Sequence, residues 1–140
     1  MSSQLAFGSA LYTRLSGTAL GTLLGGGTAL PSIFHAQAPD NATLPYVVFL
    51  TAAETDDNQQ SRRLKDVIVR VYAVAGNDAQ AGSIDKQIDT MLHRVSLGSA
   101  NGWNNLRIQR ENGYQLVTTD EAGKRYYTSG ADYRVEITTT

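Results

Sequence analysis

The chain has 140 residues, room for a single domain, 1–140, with a core that needs no metal or disulfide support. It contains no cysteine, which excludes a disulfide scaffold, a cysteine-ligated metal and a thiol nucleophile. Twelve Lys and Arg against 13 Asp and Glu leave a net charge of −1, and only 18% of residues are charged, so no strong global field gathers nucleic acid or anionic membrane.

The weakly polar stretch 5–34 is interrupted by Arg14 and by Gly25-Gly26-Gly27, so it does not read as a membrane span. Met1-Ser2-Ser3-Gln4 lacks the basic start of a signal peptide, and the chain reads as intracellular at synthesis. Leu5, Gly8, Leu11, Tyr12 and Leu15 recur at three- and four-residue steps and predict a helix over 4–15. Residues 19–24, bracketed by Gly17 and the glycine triplet, predict one more helical turn. Pro31, Pro39 and Pro45 punctuate the next stretch, leaving 32–35 as a short strand followed by a loop.

Residues 46–51, Tyr-Val-Val-Phe-Leu-Thr, predict a strand buried on both faces, because the run is β-branched and aromatic. Residues 54–61 hold no large apolar side chain and predict an exposed, mobile loop. Over 63–74 the chain alternates: Val67, Val69, Val71 and Ala73 share one face, while Asp66, Ile68, Arg70, Tyr72 and Val74 share the other. This predicts a long strand, paired antiparallel with 46–51. Gly76-Asn77-Asp78 then supplies a helix cap, and Ile84, Ile88, Met91, Leu92 and Val95 form a helical stripe ending near Leu97, where Gly98 can turn the chain. Residues 106–119 and 124–138 predict a hairpin around Asp120-Glu121-Ala122-Gly123, with a bulge or second turn at Asn112-Gly113. In its second arm Tyr133, Val135 and Ile137 face one way and Asp132, Arg134 and Glu136 the other. The order implies an α+β fold: a mainly antiparallel sheet with helices packed on one face and a long C-terminal β-hairpin.

Catalytic chemistry finds little to work with. His35 falls in a Pro-bounded stretch and His93 on the predicted central helix, neither at a recognised metal spacing, and His93 reads as an exposed helical position. Asp85 and Asp89, one turn apart, read as a solvated helix side rather than an acid–base pair. The glycine-rich run 21–27 lacks the strand and the Gly-Lys ending of a phosphate loop. No catalytic, cofactor-binding or metal-binding residue is assigned, and no enzyme activity is expected. The basic pieces Arg62-Arg63-Leu64-Lys65 and Lys124-Arg125-Tyr126-Tyr127 each follow acidic residues, which weakens a nucleic-acid reading. They read better as protein contacts, where Arg and Tyr contribute disproportionately. The candidate interface residues are Glu54, Asp56, Asp57 and Gln59, then Arg62, Arg63 and Lys65, then Lys124, Arg125 and Tyr126, with Trp103 either a core plug or an interface anchor.

Taken in order, Ala10-Leu11-Tyr12-Thr13-Arg14-Leu15, the glycine-rich break, Leu44-Pro45-Tyr46-Val47-Val48-Phe49, the strand 66–73, the helix 85–97 and Tyr133-Arg134-Val135-Glu136-Ile137 resemble the tail-terminator (tail-completion) family of long-tailed phages and gene transfer agents. The resemblance covers about 5–138, and Leu-Pro-Tyr-Val-Val-Phe is its most specific piece. It implies a non-enzymatic virion protein, made in the host cytoplasm, that forms a hexameric ring at the head–tail junction. Its implied partners are copies of itself, the tail tube protein and a head-completion or neck protein, with DNA passing near the lumen and no membrane. A head-completion (stopper) ring and a small ligand-binding α+β domain are the alternatives.

Overall fold

The computed structural model describes residues 14–15, 33–35, 44–58, 63–94, 99–100 and 103–139. Six strands form one sheet: β1 (Ile33–His35), β2 (Tyr46–Asn58), β3 (Arg63–Ala75), β4 (Ser99–Ala100), β5 (Trp103–Thr119) and β6 (Arg125–Thr139), in the order β1-β2-β3-β6-β5-β4. Only β1 and β2 are parallel; every other pair is antiparallel. A helix, α1 (Asp78–Leu92), follows β3 and packs on one face of the sheet, giving the expected α+β architecture. Of the two predicted N-terminal helices, only Arg14 and Leu15 lie among the described residues; both are helical, and Leu15 is fully buried.

The core follows from the alternation in β3. Val67, Val69, Val71 and Ala73 point to the helix-bearing face and are buried together with Val47 and Phe49 of β2 and Tyr133, Val135 and Ile137 of β6. Ile84, Ile88 and Leu92 close this layer from above. Removing one of these side chains would cost about 2–5 kcal/mol through lost burial and the cavity left behind. Strand β2 begins after a cis Leu44–Pro45 bond, and its Val47, Val48 and Phe49 are buried, as the apolar run predicts.

Two expectations are corrected. The loop expected over 54–61 is strand as far as Asn58, laddered to β3 from Glu54↔Val67 to Asn58↔Arg63 after a register shift between Thr51 and Ala53. A ladder satisfies main-chain groups whatever the side chains are, so polarity alone did not release this segment from the sheet. The helix ends at Leu92 rather than near Leu97. His93 caps it in extended conformation, Arg94 takes a left-handed φ of 61°, and the Arg94 N–H donates to Ile108 O at 2.7 Å. A tertiary hydrogen bond to β5 thus wins over another turn of apolar stripe. Gly98 and Val95 lie outside the described residues.

The hairpin is present as predicted, three residues longer at its start: its first arm begins at Trp103, which pairs with Thr139 and with Ala100 of β4. A register shift between Arg110 and Asn112 supplies the expected bulge. Asp120 holds the turn by accepting from the N–H groups of Ala122 and Lys124, at 3.0 and 2.9 Å, and Gly123 adopts φ 86°, where a Cβ would be strained.

Candidate interaction surfaces

Beneath the helix lies a polar cluster inside the core layer. Arg110 of β5 follows Ile108 at strand spacing, so it points to the helix face, and its two Nη atoms donate to both carboxylate oxygens of Asp85 at 3.2 and 3.0 Å. Nη1 also donates to the Tyr133 hydroxyl at 3.2 Å, and the guanidinium lies 5.9 Å from the Tyr133 ring centre. Ser129 Oγ donates to Asp85 at 3.2 Å. Asp89 stands one helical turn on, with its Oδ1 buried and 3.8 Å from Arg110 Nη1, too long for a hydrogen bond. The hydrogen bonds to Asp85 raise the Arg110 pKa, and burial raises that of Tyr133. The Asp85–Arg110 pair, with Tyr133 and Ser129, ties the helix to the hairpin, while Asp89 Oδ1 has no hydrogen-bond partner among the described residues.

Asp85, 8% exposed, is therefore not on a solvated side, whereas the Asp89 side chain keeps 38% of its surface in water. The signal was present, because Asp85 adjoins Ile84 and lies three residues before Ile88, while Arg110 shares its strand face with Ile108. His93 is not a free helical histidine either, since its Nδ1 accepts the Arg110 N–H at 3.1 Å.

The opposite face carries tyrosines and paired arginines. Tyr72 of β3 and Tyr114 of β5 flank Gly130 of β6 in one row of the sheet. A Cβ on Gly130 would overlap Tyr72 and stand 2.5 Å from Val71 O, so glycine is what lets the tyrosine lie across the strand. Arg70, Tyr72, Tyr114, Leu116 and Thr128 line an open groove of about 580 Å³. Burial pushes the Tyr114 pKa up to about 12, and raises Tyr72 as well. Arg70 bonds Asp132 at 2.9 Å, Arg134 meets Glu111 at 2.9 Å, and Arg107 holds Glu136 through two bonds of 3.1 and 3.3 Å. These cross-strand pairs neutralise the face, and none of those arginines is spare for phosphate.

The two candidate clusters come apart in space. The register puts Asn58↔Arg63 at one end of the β2–β3 pair and the Asp120–Lys124 turn beyond the other end of the sheet, past Tyr127↔Ala75. Glu54, Asp56, Asp57 and Arg63 belong to the main chain of the first end; Gln59 and Arg62 lie outside the described residues. Lys65 is half-buried in β3. Lys124 and Arg125 are exposed at the second end, where Tyr126 donates to Asp120 at 3.1 Å and Lys124 Nζ lies 5.4 Å from the Tyr126 ring centre. Trp103 lies in β5 at the first end, so the three groups do not form one site. Leu116 and Val117, 59% and 61% exposed on opposite faces of β5, are exposed apolar residues the sequence reading did not single out; adjacent apolar residues in an alternating strand were the signal.

Among the described residues no group of three or more His, Asp or Glu converges as a metal site, and no helix is long and apolar enough to cross a membrane. The sequence matches the family model of the tail completion protein gp17 over residues 9–137. The fold is similar to that of a chain in the solved virion of a native gene transfer agent particle, with a TM-score of 0.71 and 15% identity over 97% of this chain and 99% of that one. No curated protein matches the sequence.

Proposed function

The chain belongs to the family of the tail completion protein gp17, and from that premise we propose that it is a non-enzymatic ring subunit that caps the tail tube, ends tube polymerisation and offers the joining surface to the head-side neck. The observation that carries this reading is the family match over residues 9–137. The geometry supports it: a sheet subunit with contact residues at both ends suits a layer between two different neighbours. The end bearing Glu54, Asp56, Asp57, Arg63 and Lys65, with Trp103 beside it, meets one neighbour. The end bearing Lys124, Arg125 and Tyr126 meets the other. Six copies is the expected ring size, in a virion-borne ring assembled in the host cytoplasm.

The test mixes purified protein with tail tubes made without heads, and reads the tube ends by electron microscopy and the bound mass by light scattering. Protein at one end of each tube, with tube growth halted, is the expected result. Binding to tailless heads but not to tubes would place the chain on the head side as a stopper.

A further inference from the structure

The sheet ends in two unequal margins. On the β5 side the outer edge is occupied along its first half: β4 pairs at Trp103 and Asn104, Ile108 O accepts the Arg94 N–H at 2.7 Å, and the Arg110 N–H donates to His93 Nδ1 at 3.1 Å. Past the bulge no hydrogen bond from a described residue reaches that edge. Since Ile108 and Arg110 turn their main chain outward, the equivalent positions after the bulge are Gly113, Gln115, Val117 and Thr119, opposite Ala131, Ser129, Tyr127 and Arg125. The bare stretch Tyr114-Gln115-Leu116-Val117-Thr118-Thr119 has no charge and no proline, and its Leu116 and Val117 are well exposed. Edges that stay solitary are blunted by charge, proline or a bulge; beyond the bulge at Arg110–Asn112 this stretch carries no charge or proline of its own and is a template for strand addition.

The other margin is β1. Following the pairings across the sheet puts Ile33, Val47, Ala73, Ser129 and Gln115 in one row, Phe34, Val48, Tyr72, Gly130 and Tyr114 in the next, and His35, Phe49, Val71, Ala131 and Gly113 in the third. The bare stretch and β1 therefore stand at the same height on opposite margins. One parallel and three antiparallel steps separate them, so the two strands run in opposite senses.

Resting on the reading that copies of this chain assemble together, we propose that the free edge of β5 around Gly113–Gln115 adds to β1 of a second copy as an antiparallel ladder. A copy turned about an axis along the strands, without sliding, brings these edges together. Joining two different margins is a heterologous contact, which repeats from copy to copy and closes when the rotation allows.

Gln115→Pro tests it. The Gln115 N–H points outward, so proline there takes nothing from the β6 ladder. Its unfolding midpoint should stay within a degree or two of the parent, while self-association measured by light scattering, free or on tube ends, weakens at least tenfold. A folded Gln115→Pro that associates like the parent overturns the proposal. The parent lacks cysteine, so His35→Cys combined with Gly113→Cys gives an independent reading. Within one chain these positions are four strand spacings, about 19 Å, apart, and only neighbouring copies can cross-link. Oxidation under assembling conditions should give covalent multimers; their absence alongside normal assembly overturns the junction. If both edge tests fail while tube capping persists, this junction falls and the proposed role stands; a parent chain that neither self-associates nor binds tubes removes both.

Discussion

Asp85 and Arg110 form a charged pair that ties helix α1 to the hairpin. Their side chains are 12% and 26% exposed, and the two hydrogen bonds are close to ideal fork geometry. Asp85→Ala leaves a half-buried guanidinium and the Ser129 hydroxyl without their acceptor, and should lower stability by about 2–4 kcal/mol. Urea unfolding measures this; replacing both partners together, Asp85→Leu with Arg110→Met, should cost less than the single change. The tyrosines set a pH limit. Tyr114 titrates at about 12 against about 10 in an unfolded chain. The folded state thus holds that proton more tightly, so the contribution is whole below pH 10 and is lost as pH rises towards 12. Tyr133, raised by deeper burial, acts in the same direction. Urea midpoints at pH 9 and 11.5 should show the fall, and Tyr114→Phe should reduce it.

At the scale of elements, α1 depends on both of its ends. Asn77 accepts the Gln80 N–H at 2.7 Å and Asp78 sits in the first turn, where its charge suits the helix dipole. Asn77→Ala should cost about 1 kcal/mol, visible as a lower urea midpoint with an unchanged m-value; no loss would mean that packing of Ile84, Ile88 and Leu92 alone sets the start of the helix. Both the start and the stripe were legible, because the cap and the apolar period are local. The stop was not, because Arg94 answers to Ile108, a partner supplied by a strand not yet formed in sequence order. The same holds for β2, whose polar half is strand because β3 is there to pair with it.

At the scale of the molecule, charge is arranged to cancel. Arg70, Arg107 and Arg134 meet carboxylates in exposed pairs that contribute little to stability, about 0–1 kcal/mol each, while Arg110 meets Asp85 inside the core layer. Their larger consequence is that these four arginines are already engaged by carboxylates and are poorly placed to add phosphate contacts. Duplex DNA should therefore be held weakly, with affinity falling against salt at a log–log slope below about 2, where each phosphate contact adds about 0.9. A slope of several units in a filter-binding titration would show direct contact with DNA phosphates.

By itself, the sequence determined the alternating strands of β3 and β6, the capped helix, the hairpin about Asp120 and the resemblance to tail-completion proteins, because each is written in neighbours a few residues apart. The tertiary structure alone decided that Asp85 faces Arg110, that the 54–58 segment is laddered, that the two charged clusters stand at opposite ends, and that among the described residues the outer edge of β5 has no partner beyond its bulge. Those are relations between residues 25 or more apart in some cases and between whole strands in others; periodicity gives each strand its faces, but only pairing and packing choose which strands, and which heights along them, come together.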